Sequence, residues 1–107
     1  MIKIKQAVVV EGKYDKIKLN SIIDAVIIET NGFGVFKDKE TQALIRKLAA
    51  TCGILVLTDS DSAGFKIRSF IGGSVTPDSI RHAYIPDIFG KERRKQTPSK
   101  EGKLGVE

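Results

Sequence analysis

The sequence predicts an α/β fold, with a mainly parallel sheet of about four strands and helices on both faces. Three observations lead there. Short runs that are apolar at every position recur, as in Ala7-Val8-Val9-Val10, Ala25-Val26-Ile27-Ile28 and Ile54-Leu55-Val56-Leu57. Such runs suit strands covered on both faces. Between them lie segments with helical spacing, and strands alternating with helices imply parallel pairing through right-handed crossovers. The 107 residues are one domain's worth, enough for a single core without disulfides.

The start, Met1-Ile2-Lys3-Ile4-Lys5, alternates apolar and basic residues and lacks the continuous apolar stretch of a signal peptide. No apolar run approaches the roughly 18 residues of a membrane span, so a cytoplasmic protein without membrane association is expected. The first strand, at Ala7 to Val10, stops at Glu11-Gly12. A helix is expected over 14–23, with Ile17, Ile22 and Ile23 near one side. The second strand, over 25–28, is stopped by Asn31-Gly32. From Asp38 the period becomes helical, with Ala43, Leu44, Ile45, Leu48, Ala49 and Ala50 along an apolar stripe. Asp38 is the expected N-cap and Gly53 the terminator. The third strand, over 54–57, ends in Thr58-Asp59-Ser60-Asp61. A helix over 63–71 follows, with Phe65, Ile67, Phe70 and Ile71 as candidate core residues, and Gly72-Gly73 ends it. A weaker fourth strand is expected over 80–85, closed by Pro86.

Residues 1–86 thus form the expected core, and composition shifts over 87–107. Lys91, Arg93, Arg94 and Lys95 lie in a stretch with few core-forming residues. It reads equally as a solvated tail or as a basic arm that touches phosphates. Leu104-Gly105-Val106-Glu107 reads as a segment entering another element, which predicts a domain of a longer protein with a further carboxy-terminal region. The net charge of +5 suits a polyanionic partner.

Parallel sheets bind ligands outside the carboxyl ends of their strands. Glu11 follows the first strand, Asn31 and Gly32 the second, and Asp59 and Asp61 the third, so three polar groups fall on one rim. Two carboxylates in alternate positions suit a hard cation such as Mg²⁺, which keeps several waters and also takes phosphate oxygens. The D-x-D also fits a simpler role, in which Asp61 or Ser62 caps the helix that follows. Glu11 shifts the balance toward metal. Three acids from two strand ends repel one another unless a cation lies among them. Beside Glu11, Gly12 permits close approach of a ligand, Lys13 offers a cation to a phosphate, and Asp15 adds a further acid. For phosphodiester chemistry one metal, or two about 4 Å apart, would stabilise developing charge.

Other chemistries are excluded or weakly supported. There is no G-x-x-x-x-G-K-[ST] phosphate loop and no G-x-G-x-x-G fingerprint. The single Cys52 allows no intramolecular disulfide, and Cys52 with the lone His82 cannot build a zinc site. Cys52 reads as a small buried residue before a strand, Tyr14 as a helix residue near the site, and Tyr84 and His82 as strand residues. Arg68 reads equally as a phosphate contact or a surface ion pair. A receiver-like phosphoryl domain is a third reading, but the fourth strand ends in Ile85-Pro86-Asp87 without the lysine it wants.

The run Val8-Val9-Val10-Glu11-Gly12-Lys13, with Asp15, resembles the first motif of the Toprim superfamily. Thr58-Asp59-Ser60-Asp61, with Gly64, resembles the second. Together with Glu29-Thr30-Asn31-Gly32, Ile67, Arg68 and Lys103-Leu104-Gly105-Val106-Glu107, these make the chain most similar to the ribonucleases that mature 5S ribosomal RNA. The resemblance implies Mg²⁺ at Asp59 and Asp61, with Mn²⁺ as a substitute. It implies that Glu11 acts as acid/base or metal-site residue, and it makes Glu107 a candidate to join them. It also implies double-stranded parts of a 5S ribosomal RNA precursor as substrate and a ribosomal protein that shapes the RNA. The residues expected to bind the substrate are Lys13, Asn31, Gly32, Arg68, Lys91, Arg93, Arg94 and Lys95. Tyr14 departs from the family, which often has another acid there. A nucleic-acid-binding or primase-like module without nuclease activity is the alternative.

Overall fold

A computed structural model describes residues 1–85. The expectations placed on 87–107, among them Lys91, Arg93, Arg94, Lys95 and Glu107, lie outside the described residues.

Four strands form one parallel sheet. β2 (Ala7–Val10) lies at its centre, with β4 (Ile27–Glu29) on one side and β5 (Ile54–Thr58) on the other, and β6 (Ile80–Tyr84) lies beyond β5. The four apolar residues of β2 show why it is central. Ala7 and Val9 enter one core cluster, and Val8 and Val10 enter another on the opposite face. The first cluster holds Ile45 and Ala49 of α2 (Lys39–Thr51) and Ile67 and Ile71 of α3 (Ser62–Gly72). The second is smaller and receives Leu19 from α1 (Lys13–Asn20). The parallel α/β sheet with helices on both faces is therefore as expected.

The connections leave the centre in opposite directions. From β2 the chain passes through α1 to β4, whereas from β5 it passes through α3 to β6. β2 and β5 are neighbours, so the switch in direction falls between their carboxyl ends, where open α/β sheets form a crevice. Glu11 and Asp59 are the first residues beyond those two ends.

Several local expectations are corrected. The first helix ends at Asn20, so Ile22 and Ile23 are not helical. Ile23 instead begins β3 (Ile23–Asp24), which pairs in parallel with β1 (Ile2–Lys3) as a separate two-stranded sheet. α1 has no buried residue, and Ile17 is exposed, because this short helix covers little of its face. For the same reason Leu55 and Leu57 of β5 are only partly buried. The second strand starts at Ile27, leaving Val26 exposed. Phe65 and Phe70, expected in the core, are exposed on α3. Only Ile67 and Ile71 of that quartet face the sheet, at the i, i+4 spacing of one helical stripe.

The punctuation of α2 is as expected. Asp38 accepts the Thr41 N–H at 3.0 Å as N-cap. Gly53 adopts φ +84°, a left-handed conformation that suits glycine after a helix. Among the described residues, no helix is long and apolar enough to cross a membrane.

Candidate metal and nucleic-acid site

The end of β2 is tied to the end of β4 through the backbone of Glu11. The Gly32 N–H donates to the Glu11 carbonyl at 2.8 Å, and the Thr30 hydroxyl donates to the same oxygen at 3.2 Å. Asn31 and Gly32 make this turn with φ near +60° at both positions, a region open to Asn and Gly. Two of the residues expected to hold substrate, Asn31 and Gly32, therefore stand beside Glu11. Lys13, on the other side of Gly12, is exposed at the first position of α1. Asp15 caps that helix, accepting the Gly12 N–H at 3.3 Å.

The Asp59–Asp61 loop is built differently. Asp61 is the N-cap of α3, where its Oδ1 accepts the Gly64 N–H at 2.8 Å. The simpler role foreseen for Asp61 is real, but it uses only one carboxylate oxygen. The turn is tight: a Cβ on Gly64 would lie 2.4 Å from the Asp59 carbonyl and 2.7 Å from the Thr58 hydroxyl. Backbone would have to shift to admit it. Gly64→Ala is therefore expected to destabilise the chain by about 1–3 kcal/mol, as overpacking does, and to displace both aspartates. Thermal unfolding measures the first effect; an unchanged melting temperature would contradict this account of the turn.

Glu11 carries the main electrostatic signal. Its Oε2 is buried and lacks a hydrogen-bond partner. Burial first, then the charges of Asp61 and Asp59, and last that of Asp15, push its carboxyl above the usual glutamate range; a backbone hydrogen bond from Asp59 opposes them in part. A partnerless carboxylate oxygen facing further acids is a poor arrangement for the protein alone and a good one for a cation. Among the described residues, no three acid, histidine or cysteine side chains are grouped so that together they could hold a metal ion. The donor set fits a cation that fills its shell with water and phosphate oxygens, as Mg²⁺ does.

Arg68 stands apart from its expected surface role, because its side chain is buried. Its Nε donates to the Thr58 hydroxyl at 2.9 Å, and Nη1 donates to the Val56 carbonyl at 3.2 Å and to His82 Nδ1 at 2.8 Å. Nη2 donates to the Ala83 carbonyl. The surface-ion-pair reading is thus corrected, and the guanidinium is occupied by protein acceptors. Since Arg68 only donates, Nδ1 of His82 must accept, leaving the ring proton on Nε2. Partial burial and the adjacent guanidinium both lower the His82 pKa, which favours that neutral form. His82 itself is exposed on β6, as expected of a strand-surface residue. The Thr58 hydroxyl in turn donates to the Asp59 carbonyl at 3.0 Å, so Arg68 supports the acidic loop from beneath. Sequence spacing could not reveal this, because Val56, Thr58, His82 and Ala83 converge only across paired strands.

A crevice at the switch of a parallel sheet, with one acid after β2 and an Asp-x-Asp after β5, is the arrangement expected of a Toprim-type domain. No family model matches this chain. It is similar to ribonuclease M5 of Lactiplantibacillus plantarum, with 40% identity covering 100% of this chain and 52% of that protein. It is 37% identical to ribonuclease M5 of Staphylococcus aureus, covering 99% of this chain and 53% of the relative. With ribonuclease M5 of Bacillus subtilis the identity is 37%, over 89% of this chain and 49% of the relative. The chain spans about half the length of these curated relatives.

Proposed function

We propose that this chain is the metal-binding domain of an endoribonuclease that cleaves double-stranded regions of a 5S ribosomal RNA precursor in the cytoplasm. The observation that carries the reading is the buried, partnerless Glu11 oxygen beside Asp59 and Asp61. The similarity to ribonuclease M5 supports the reaction class. Glu11, Asp59 and Asp61 would hold one or two Mg²⁺ ions, with Mn²⁺ as a substitute. When bound, the metal supplies charge stabilisation at the phosphate and help in activating a nucleophile. Lys13 and the Asn31-Gly32 turn would meet the RNA backbone, a reading supported by their nearness to Glu11 in the chain and through the Gly32–Glu11 hydrogen bond. The excess of basic residues favours a polyanion, and RNA shape rather than base identity would set the site. A ribosomal protein that shapes the precursor is the proposed partner.

A second reading, RNA binding without scission by this chain alone, is favoured because no three acid, histidine or cysteine side chains among the described residues are grouped to hold a metal ion. Cleavage of an end-labelled, double-stranded 5S precursor separates the two. Cuts at fixed positions in Mg²⁺, lost in EDTA, are expected. Undiminished cleavage by Asp59→Asn would sink the proposed site, and salt-sensitive binding without cuts would favour the second reading.

A further inference from the structure

Two aromatic rings beside the acidic loop have no part in the core. Phe65 lies in the first turn of α3, and its backbone N–H donates to the Asp61 carbonyl at 3.0 Å. Tyr84 is the last residue of β6 and pairs in register with Thr58, the residue before Asp59. The rings meet edge to face with centroids 6.1 Å apart, yet Phe65 stays 47% and Tyr84 46% exposed. Tyr84 is also held in place: the Arg68 guanidinium lies 3.9 Å from its ring centroid. That guanidinium is itself fixed by hydrogen bonds to β5 and β6. An aromatic ring mounted on a buried cation, half open to solvent and next to a phosphate-handling loop, has the form of a stacking platform.

We infer that Phe65 and Tyr84 form a subsite that stacks one unpaired nucleobase next to the phosphate held at the acidic rim; this rests on the nucleic-acid reading above. Three features favour a base over an apolar protein surface. The pair is small and sits beside the acids rather than on a remote face. The chain's net charge of +5 draws a polyanion to it. An aromatic face also accepts any base, which suits an enzyme that reads RNA shape. The substrate class is therefore narrowed to a duplex interrupted by an unpaired or displaced base at the cleavage position.

The test uses the whole chain, with Ca²⁺ replacing Mg²⁺ to limit cleavage, and two RNAs. One is a continuous duplex; the other carries a single unpaired 2-aminopurine within the same duplex. Wild type is expected to quench the 2-aminopurine fluorescence and to bind that RNA more tightly than the duplex. Tyr84→Leu and Phe65→Leu should each remove the quenching and weaken binding of the interrupted RNA by about tenfold. Their losses should be confined to that RNA, and Tyr84→Phe should retain the quenching. Circular dichroism identifies a misfolded variant, and Phe65→Leu, at an exposed helical position, remains informative if Tyr84→Leu unfolds. Unchanged RNA binding by the folded leucine variants would overturn the subsite and reassign the rings to a protein contact. Equal losses on both RNAs would also overturn it. Duplex binding by wild type without quenching would sink the stacking alone, whereas failure to bind either RNA would sink the underlying reading too.

Discussion

Glu11→Gln is expected to lower metal-dependent cleavage by about 10³-fold while making the metal-free chain more stable. The first effect follows from the proposed metal site, where losing a charged ligand would forfeit part of the several kcal/mol that a bound cation would supply. The second follows from the apo state, in which a carboxylate oxygen is buried without a partner and faces Asp61 and Asp59. The folded chain holds the Glu11 proton more tightly than the unfolded chain, whose value is near 4.5. Stability from the protonated form is thus fully present below pH 4.5 and is lost as pH rises through the higher folded value. Glutamine does not ionise and escapes that loss. At pH 7.5 in EDTA the variant should gain about 1 kcal/mol, allowing for partial exposure, or about 4–8 °C in melting temperature. At pH 4 the two proteins should melt alike. Mg²⁺ should then raise the melting temperature of wild type more than that of the variant, because binding to the native state stabilises it. Equal melting temperatures in EDTA at pH 7.5 would refute the electrostatic account, whatever the cleavage assay showed.

Arg68→Ala is expected to cost about 3 kcal/mol or more, measured by urea unfolding. The guanidinium donates to two backbone carbonyls, a hydroxyl and an imidazole, and it lies against Tyr84. Its removal leaves buried acceptors unpaired, each costing about 1–3 kcal/mol, and it loosens β6 from β5 and α3. Arg68→Lys should recover little, because an ammonium cannot spread its donors across a planar fork. A loss below about 1 kcal/mol for Arg68→Ala would show that water takes over these contacts and that Arg68 does not hold the Asp59 loop.

The pattern of residues made much of this architecture legible. Ala7 to Val10 and Ile54 to Leu57 are continuous apolar runs, and both are strands of the parallel sheet. The acids fall at strand ends because apolar runs must stop where the sheet meets water. Asp38 and Gly53 bound α2 because capping and left-handed turns are local matters. Where the reading failed, the missing information was nonlocal. Phe65 and Phe70 carry helical spacing, but which stripe of α3 is covered depends on where β5 and β6 lie. Ile23 looked helical by period and became a strand because β1 was there to pair with it.

By itself, the sequence determined the fold class, the order of its main elements and the acids that reach the carboxyl rim, since periodicity, capping and strand termination are encoded within a few residues. Only the tertiary structure decided that β2 and β5 are neighbours at the switch point and that Arg68 is an internal strut. It also decided that one oxygen of Asp61 caps a helix while one of Glu11 has no partner. Each depends on distances between segments far apart in the chain, and these are set by the packing of α2 and α3 against one face of the sheet and α1 against the other.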